Sequence, residues 1–265
     1  MIDIHLHTRF SFDSKEEPEN FIGKANSLGI KSLGFSEHYD YDAFLDGADI
    51  SLCDVPAYAA YLNKLRENYP DTEILFGIEL GYSPAAEEEF RKLTNRYPFD
   101  YVINSVHTLP GRGDCYYPRF FDGITLRQAY TDYFNAVLAS VKADYDYQIV
   151  GHIGYVSRYC KGENALIKYY DYSEIFDEIL KEIIKRDKCL EINTSTGEAN
   201  CDFFPDKDII IRYLQLGGEK LSFASDAHSA EKYRKGADKV KQFLSAEGVS
   251  ELCYFKNRQC LFYKI

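Results

Sequence analysis

Residues 1–13 read MIDIHLHTRFSFD, and the fold is decided by how this opening is read. Residues 2–7 form an apolar run of strand length in which His5 and His7 alternate with Ile4 and Leu6. Side chains at i and i+2 of a strand point the same way, so both imidazoles leave one face close to the strand's end. The pattern recurs along the chain. SLGFSEH (32–38), EILFGIEL (73–80), YVINSVH (101–107), YQIVGH (147–152), CLEIN (189–193) and KLSFASDAH (220–228) are further strand candidates. All six histidines of the protein, His5, His7, His38, His107, His152 and His228, fall at the C-terminal ends of these runs.

Helical patterns separate the runs. Ser14 with Glu17 gives a capping-box signature before Phe21, Ile22, Ala25 and Leu28, and Thr125 with Gln128 gives a second one before Leu126, Tyr130, Phe134 and Val137. Residues 56–69 and 84–96 read as helices. So do the stretches around Ile175–Ile184, Ile209–Leu214 and Val240–Leu244, the last two stopped by Gly217 and Gly248. Strand alternating with helix predicts a parallel sheet, and near-continuous apolar strands predict burial on both faces. Residues 253–265, CYFKNRQCLFYKI, read as a hairpin or an added strand. The longer connections, 39–55 and 108–124, are of a length that often serves function.

An open sheet would not bring so many strand ends together, whereas an α/β barrel converges them on one mouth, where such folds carry their active sites. The expectation is a distorted TIM-like (β/α)7 barrel, one domain over residues 1–265. One histidine at a strand end is usually a hydrogen-bonded structural residue; six of six at equivalent positions is a poor match to packing and a good match to metal ligation. Glu79 ends its strand, Asp226 stands two residues before His228, and Asp13 lies just past the first strand. Imidazole and carboxylate without thiolate suit zinc, iron or manganese.

The bulk numbers restrict the partners. The net charge of −11 disfavours nucleic acid and anionic membranes as general partners, yet bound cations can invert the field of a site locally. Seven cysteines with no C-x-x-C predict free thiols in a reducing cytoplasm. Residues 1–20 hold no charged segment followed by an apolar one, so no cleaved leader is expected, and no run suits a membrane span.

In order, DIHLHTRFSFD, GFSEH, GIELGY, YVINSVH, GH and SDAH resemble the PHP (polymerase and histidinol phosphatase) superfamily of metal-dependent phosphoesterases. DYVINSVHTLPG, IVGHIGYVSRY and LEINTS most resemble its stand-alone histidinol-phosphatase branch. The resemblance implies three divalent ions, zinc first, with iron or manganese as alternatives. The first would be held by His5, His7, Glu79 and Asp226; the second, bridged by Glu79, by His107 and His152; the third by Asp13, His38 and His228. Asp13 stands where some relatives carry His. Three such ions against three carboxylates would leave the mouth at roughly +3 and attractive to a phosphate dianion.

The implied activity is phosphomonoester hydrolysis of a small phosphorylated substrate, L-histidinol phosphate in histidine biosynthesis, with a metal-bound hydroxide as nucleophile. Asp226, His38 and Glu37 are the candidates for proton transfer, the first two foremost. Arg158 is the candidate phosphate contact, with Arg112, Arg119 and Asn193 behind it. Asp46 and Asp49 are candidates for an ammonium group. The run INTSTGEANCD departs from the branch, where a Gly followed by a basic residue is common; here Glu198 takes the basic position. The alternatives are a phosphoesterase for a nucleotide or oligonucleotide end, and a metal-binding module without activity. The sequence leaves metal identity and oligomeric state open.

Overall fold

The computed structural model describes residues 1–41, 50–160 and 165–265. Six parallel strands form one curled sheet in chain order: β1 (Ser32–Tyr39), β2 (Glu73–Gly81), β3 (Tyr101–Ser105), β4 (Ile149–Val150), β5 (Cys189–Asn193) and β6 (Leu221–Ala224). Around it lie helices α1 (Pro18–Ser27), α2 (Val55–Asn68), α3 (Glu87–Arg96), α4 (Leu126–Val141), α5 (Ser173–Lys185), α6 (Lys207–Gln215) and α7 (Ala237–Ala246). Their apolar stripes pack on the outer faces of the strands. On α5, for example, Phe176, Ile179, Leu180 and Ile183 are buried at helical spacing.

The expected first strand departs from the expectation in form. Residues 2–7 make two single bridges instead of a continuous ladder, Asp3 to Leu33 of β1 and Leu6 to Ala227 beyond β6. Backbone hydrogen bonds from Gly34 and Ser36 to the carbonyls of Asp3 and Leu6, and from His7 to that of Ala227, tie the segment to both edges of the sheet. The segment thus spans the gap and closes the distorted barrel. The ladder is broken because the two edges share it, and because the buried carboxylate of Asp3 takes the Ser225 N–H (3.1 Å) and hydroxyl (2.5 Å) in place of a backbone carbonyl.

The barrel interior is layered. Ile4, Leu75, Tyr101, Ile103, Ile149, Cys189, Cys253 and Phe255 form an apolar plug at the end where the strands begin. Tyr101 lies across it, donating its hydroxyl to the Phe35 carbonyl (2.9 Å), in space left by Gly34 and Gly77. A C-terminal hairpin, β7 (Glu251–Lys256) and β8 (Gln259–Lys264), seals this end and settles the open reading of residues 253–265. Asn257 and Arg258 both have positive φ, as a two-residue hairpin turn requires. The opposite end holds the histidines.

Two local expectations are corrected. Thr125 caps α4 by accepting from Gln128 N–H, but Ser14 does not cap α1; its hydroxyl donates to the carbonyls of His7 and His228 instead. β4 is two residues long, because Gly151 turns the chain over Ser105 directly after it.

Candidate metal centre

All nine residues expected as ligands meet at the mouth of the barrel. The parallel register sets His38 of β1 opposite Glu79 of β2, and strand ends and the loops after them deliver the rest. Glu79 is the hub. One carboxylate oxygen lies 2.8 Å from His152 Nε2 and 3.3 Å from His107 Nε2; the other lies 3.0 Å from His38 Nδ1 and 3.3 Å from His5 Nε2. Asp226 Oδ1 is 3.3 Å from His7 Nε2 and 3.7 Å from His228 Nδ1. Asp13 bridges His228 (3.0 Å) and His38 (3.5 Å) on the open side. Asp226 reaches inward from a left-handed backbone (φ 49°), a strained conformation of the kind found where a side chain must be aimed.

The donors are poorly satisfied by one another. His5 Nε2, His7 Nε2, His38 Nδ1, His152 Nδ1 and Glu79 Oε2 are buried and have no hydrogen-bond partner among the described residues. Buried polar atoms are rarely left so. Ligand atoms of His5, His7 and Glu79, of His38, Glu79 and His107, of His5, His152 and Asp226, and of His7, His38 and His228 each lie within 4.8 Å of one another. A shared cation is the partner these sets lack, so the residues present fit divalent metal.

Electrostatics point the same way. Burial alone would raise the Glu79 carboxyl, but His5, His107 and His38 outweigh it and hold it well below the usual range. Asp226 is likewise buried and held low by Arg158, His5 and His7. Burial and the neighbouring charges of His38 and His228 bring His7 down to about 3, so it is a neutral imidazole.

Residues not picked out as site residues from the sequence hold the ligands in place. Glu191 accepts from His5 Nδ1 (2.6 Å) and from the His152 N–H (2.8 Å). Asp40 meets His107 Nδ1 at 2.6 Å and His38 Nδ1 at 3.2 Å. Ser11 lies 3.2 Å from His7 Nδ1. Such contacts fix the tautomer and ring orientation of ligating histidines. His38-x-Asp40 carries the same i, i+2 spacing as Asp226-x-His228, and that signal was available for Asp40.

The weaker candidates separate. Arg158 reaches the mouth, donating to Asp226 Oδ2 (3.1 Å) and to the Ser195 hydroxyl. Arg119 lines the cavity, whereas Arg112 pairs with Asp132 (3.3 Å). Glu37 turns both carboxylate oxygens to Thr8 and Ser11, behind His7, and not to the mouth. Asn193 bonds Glu191 and the Ser195 N–H. The run with Glu198 packs on Arg158, its N–H on the Arg158 carbonyl (2.8 Å). Asp46 and Asp49 lie outside the described residues.

The PHP domain model matches residues 3–195. The chain belongs to the PHP family. A histidinol-phosphatase of Lactococcus lactis subsp. lactis is 30% identical over 262 residues, covering 96% of this chain and 94% of the relative. A probable histidinol-phosphatase of Clostridium acetobutylicum is 33% identical over 233 residues, 86% of each chain. The crystal structure of the Lactococcus lactis histidinol phosphate phosphatase, complexed with zinc, L-histidinol and phosphate, superposes with a TM-score of 0.87 at 30% identity over 98% of each chain. A structure from Listeria monocytogenes shares the fold at 23% identity, with a TM-score of 0.80. No helix among the described residues of this PHP protein is long and apolar enough to cross a membrane.

Proposed function

We propose that this PHP protein is a metal-dependent phosphomonoesterase that hydrolyses L-histidinol phosphate to L-histidinol and phosphate, using three divalent ions, zinc foremost. The carrying observation is the set of buried, partnerless imidazole and carboxylate atoms converging on Glu79, in a chain whose relatives bear the histidinol-phosphatase name over nearly their full length. The ligand sets are those given above: His5, His7, Glu79 and Asp226; Glu79, His107 and His152; Asp13, His38 and His228. When bound, the ions acidify water and neutralise phosphate oxygens. Six positive charges plus Arg158 against Asp13, Asp40, Glu79, Glu191 and Asp226 leave about +2, enough to attract a dianion.

The protein's own groups do the rest. Arg158, buried beside Asp226, offers its remaining guanidinium donors to phosphate oxygens. Asp226, held ionised, accepts a proton from the attacking water as the new P–O bond forms. The same proton returns to the alcohol oxygen as the old P–O bond breaks. His38, next to Phe12 (ring centroids 5.3 Å apart), is the second candidate for handing over a proton. The seven free cysteines support a reducing compartment, hence a cytoplasmic enzyme, and one domain over 1–265 carries the activity.

The test is phosphate release from L-histidinol phosphate by purified protein, beside a nucleoside monophosphate and an oligonucleotide end. Chelation is expected to abolish turnover and zinc or manganese to restore it, and Asp226→Asn to lower kcat by at least about 100-fold. Full turnover in a sample verified to be metal-free, or a clear preference for the nucleotide, overturns the reading.

A further inference from the structure

The mouth opens into a cavity of about 470 Å³ whose far wall is not made of ligand residues. It is built by the loop after β3, where Thr108–Leu109 and Gly113–Asp114 form a short antiparallel pair. Asp114 lines the cavity there, together with the candidate ligands Asp13, His38, His107, His152, Asp226 and His228. Its Oδ1 accepts from the Tyr116 N–H (2.7 Å) and the Tyr155 hydroxyl (3.4 Å). Among the described residues no Lys, Arg or His nitrogen comes within 4.0 Å of the carboxylate. Arg119, on the same loop, lays its guanidinium over the Tyr117 ring (5.0 Å). Burial raises the Asp114 carboxyl, with only a hydrogen bond from Tyr116 and the distant charge of His107 as the main opposing effects. An acid so placed beside a phosphate site repels the phosphate unless the rest of the substrate brings a positive charge to it.

The surrounding surface tells what carries that charge. Tyr116, Tyr117, Tyr159 and Phe12 are among the large apolar side chains most exposed on the protein, and all line this cavity. Tyr116 and Tyr159 stand edge to face, with ring centroids 4.7 Å apart. An aromatic collar around a carboxylate with no basic partner among the described residues suits a flat, partly cationic group with an amine beside it.

We infer that Asp114 is a specificity-determining residue: its carboxylate takes the ammonium of the alcohol portion of the substrate, while the tyrosines at the rim take its ring. The enzyme thereby selects phosphomonoesters of amino alcohols over neutral ones. This rests on the phosphatase reading above and goes beyond it by naming which group of the chain reads the leaving alcohol.

The experiment compares L-histidinol phosphate with 3-(imidazol-4-yl)propyl phosphate, which lacks only the amine, in the zinc-loaded wild type, D114N and D114E. Asn keeps the Oδ1 acceptor for Tyr116 and Tyr155 and removes only the charge. In D114N, kcat/KM for L-histidinol phosphate is expected to fall about 10- to 100-fold, chiefly through KM, with the amine-free ester changed less than about threefold. D114E is expected to recover part of the discrimination. Zinc content and the thermal midpoint of each variant are measured beside the kinetics. Equal losses on both esters, or no loss on either, overturn the inference and leave the phosphatase reading standing. A zinc-loaded wild type that hydrolyses neither ester overturns both.

Discussion

Glu191 shows what a single buried acid does in this protein. One oxygen holds His5 Nδ1, and the other takes the His152 N–H and the Asn193 side-chain amide (3.0 Å). All three of its hydrogen-bond partners among the described residues act as donors, so a carboxylate fits and a carboxamide does not. In E191Q the new NH2 must face one of those donors. His5 is expected to lose its orientation and zinc affinity to drop about 10- to 100-fold, as read by competition with a chromogenic chelator, with far-UV circular dichroism unchanged. Unaltered affinity would show that His5 needs no such support. At this scale the sequence exposed the histidines and hid the acids. Six histidines, all at strand ends, form a pattern by their rarity, whereas 42 acidic residues carry no such mark. Residue type does not tell the buried Glu191 from a solvated glutamate. Only its place in CLEIN, two residues before Asn193, put it on the inward face.

At the scale of elements, the bodies of the helices were legible because their apolar faces repeat every three to four positions, whereas starts slipped by about three residues where a 3-10 turn, Pro84–Ala86, or a Pro at the first turn, Pro18, begins the element. The misreadings came where a polar side chain served another element: Ser14, taken for a cap, binds the carbonyls of His7 and His228, and Asp3 stands in for part of a strand ladder. The strands rely on space as well as on pattern. A Cβ on Gly77 would lie 2.2 Å from Cζ of Tyr101, a ring fully buried in the plug and fixed by its bond to Phe35. Backbone on one side and the sealed hairpin end on the other give that ring no route of escape. Gly77→Ala is therefore expected to cost about 1–3 kcal/mol in urea unfolding, and G77A/Y101L to cost less than the two single changes together. Strict additivity of the pair would mean that the glycine is not there to admit the tyrosine.

For the whole molecule, the convergence of histidines was enough to predict closure of the sheet, although the manner of closure was not legible: pairing to two edges at once leaves no periodic trace in residues 2–7. Convergence also has a thermodynamic consequence. The nine candidate ligands come from the N-terminal segment, β1, β2 and the loops beyond β3, β4 and β6, so ions held among them would link nearly the full circumference of the barrel. Unfolding disperses those ligands and forfeits the binding energy at every site together. At free zinc 100-fold above the dissociation constant, each ion adds about 2.7 kcal/mol. For a chain of this size 1 kcal/mol corresponds to roughly 2–4 °C in Tm. Removing even one tightly held ion is expected to lower Tm by about 5–10 °C, with larger losses as further sites empty. The apolar plug does not depend on metal, so the stripped protein should keep its secondary structure below the transition and recover its Tm when zinc returns. Differential scanning calorimetry of the zinc-loaded and chelator-dialysed protein measures this, with elemental analysis of both samples. Equal Tm values at verified different metal contents would mean that the ions do not bind between these strand ends.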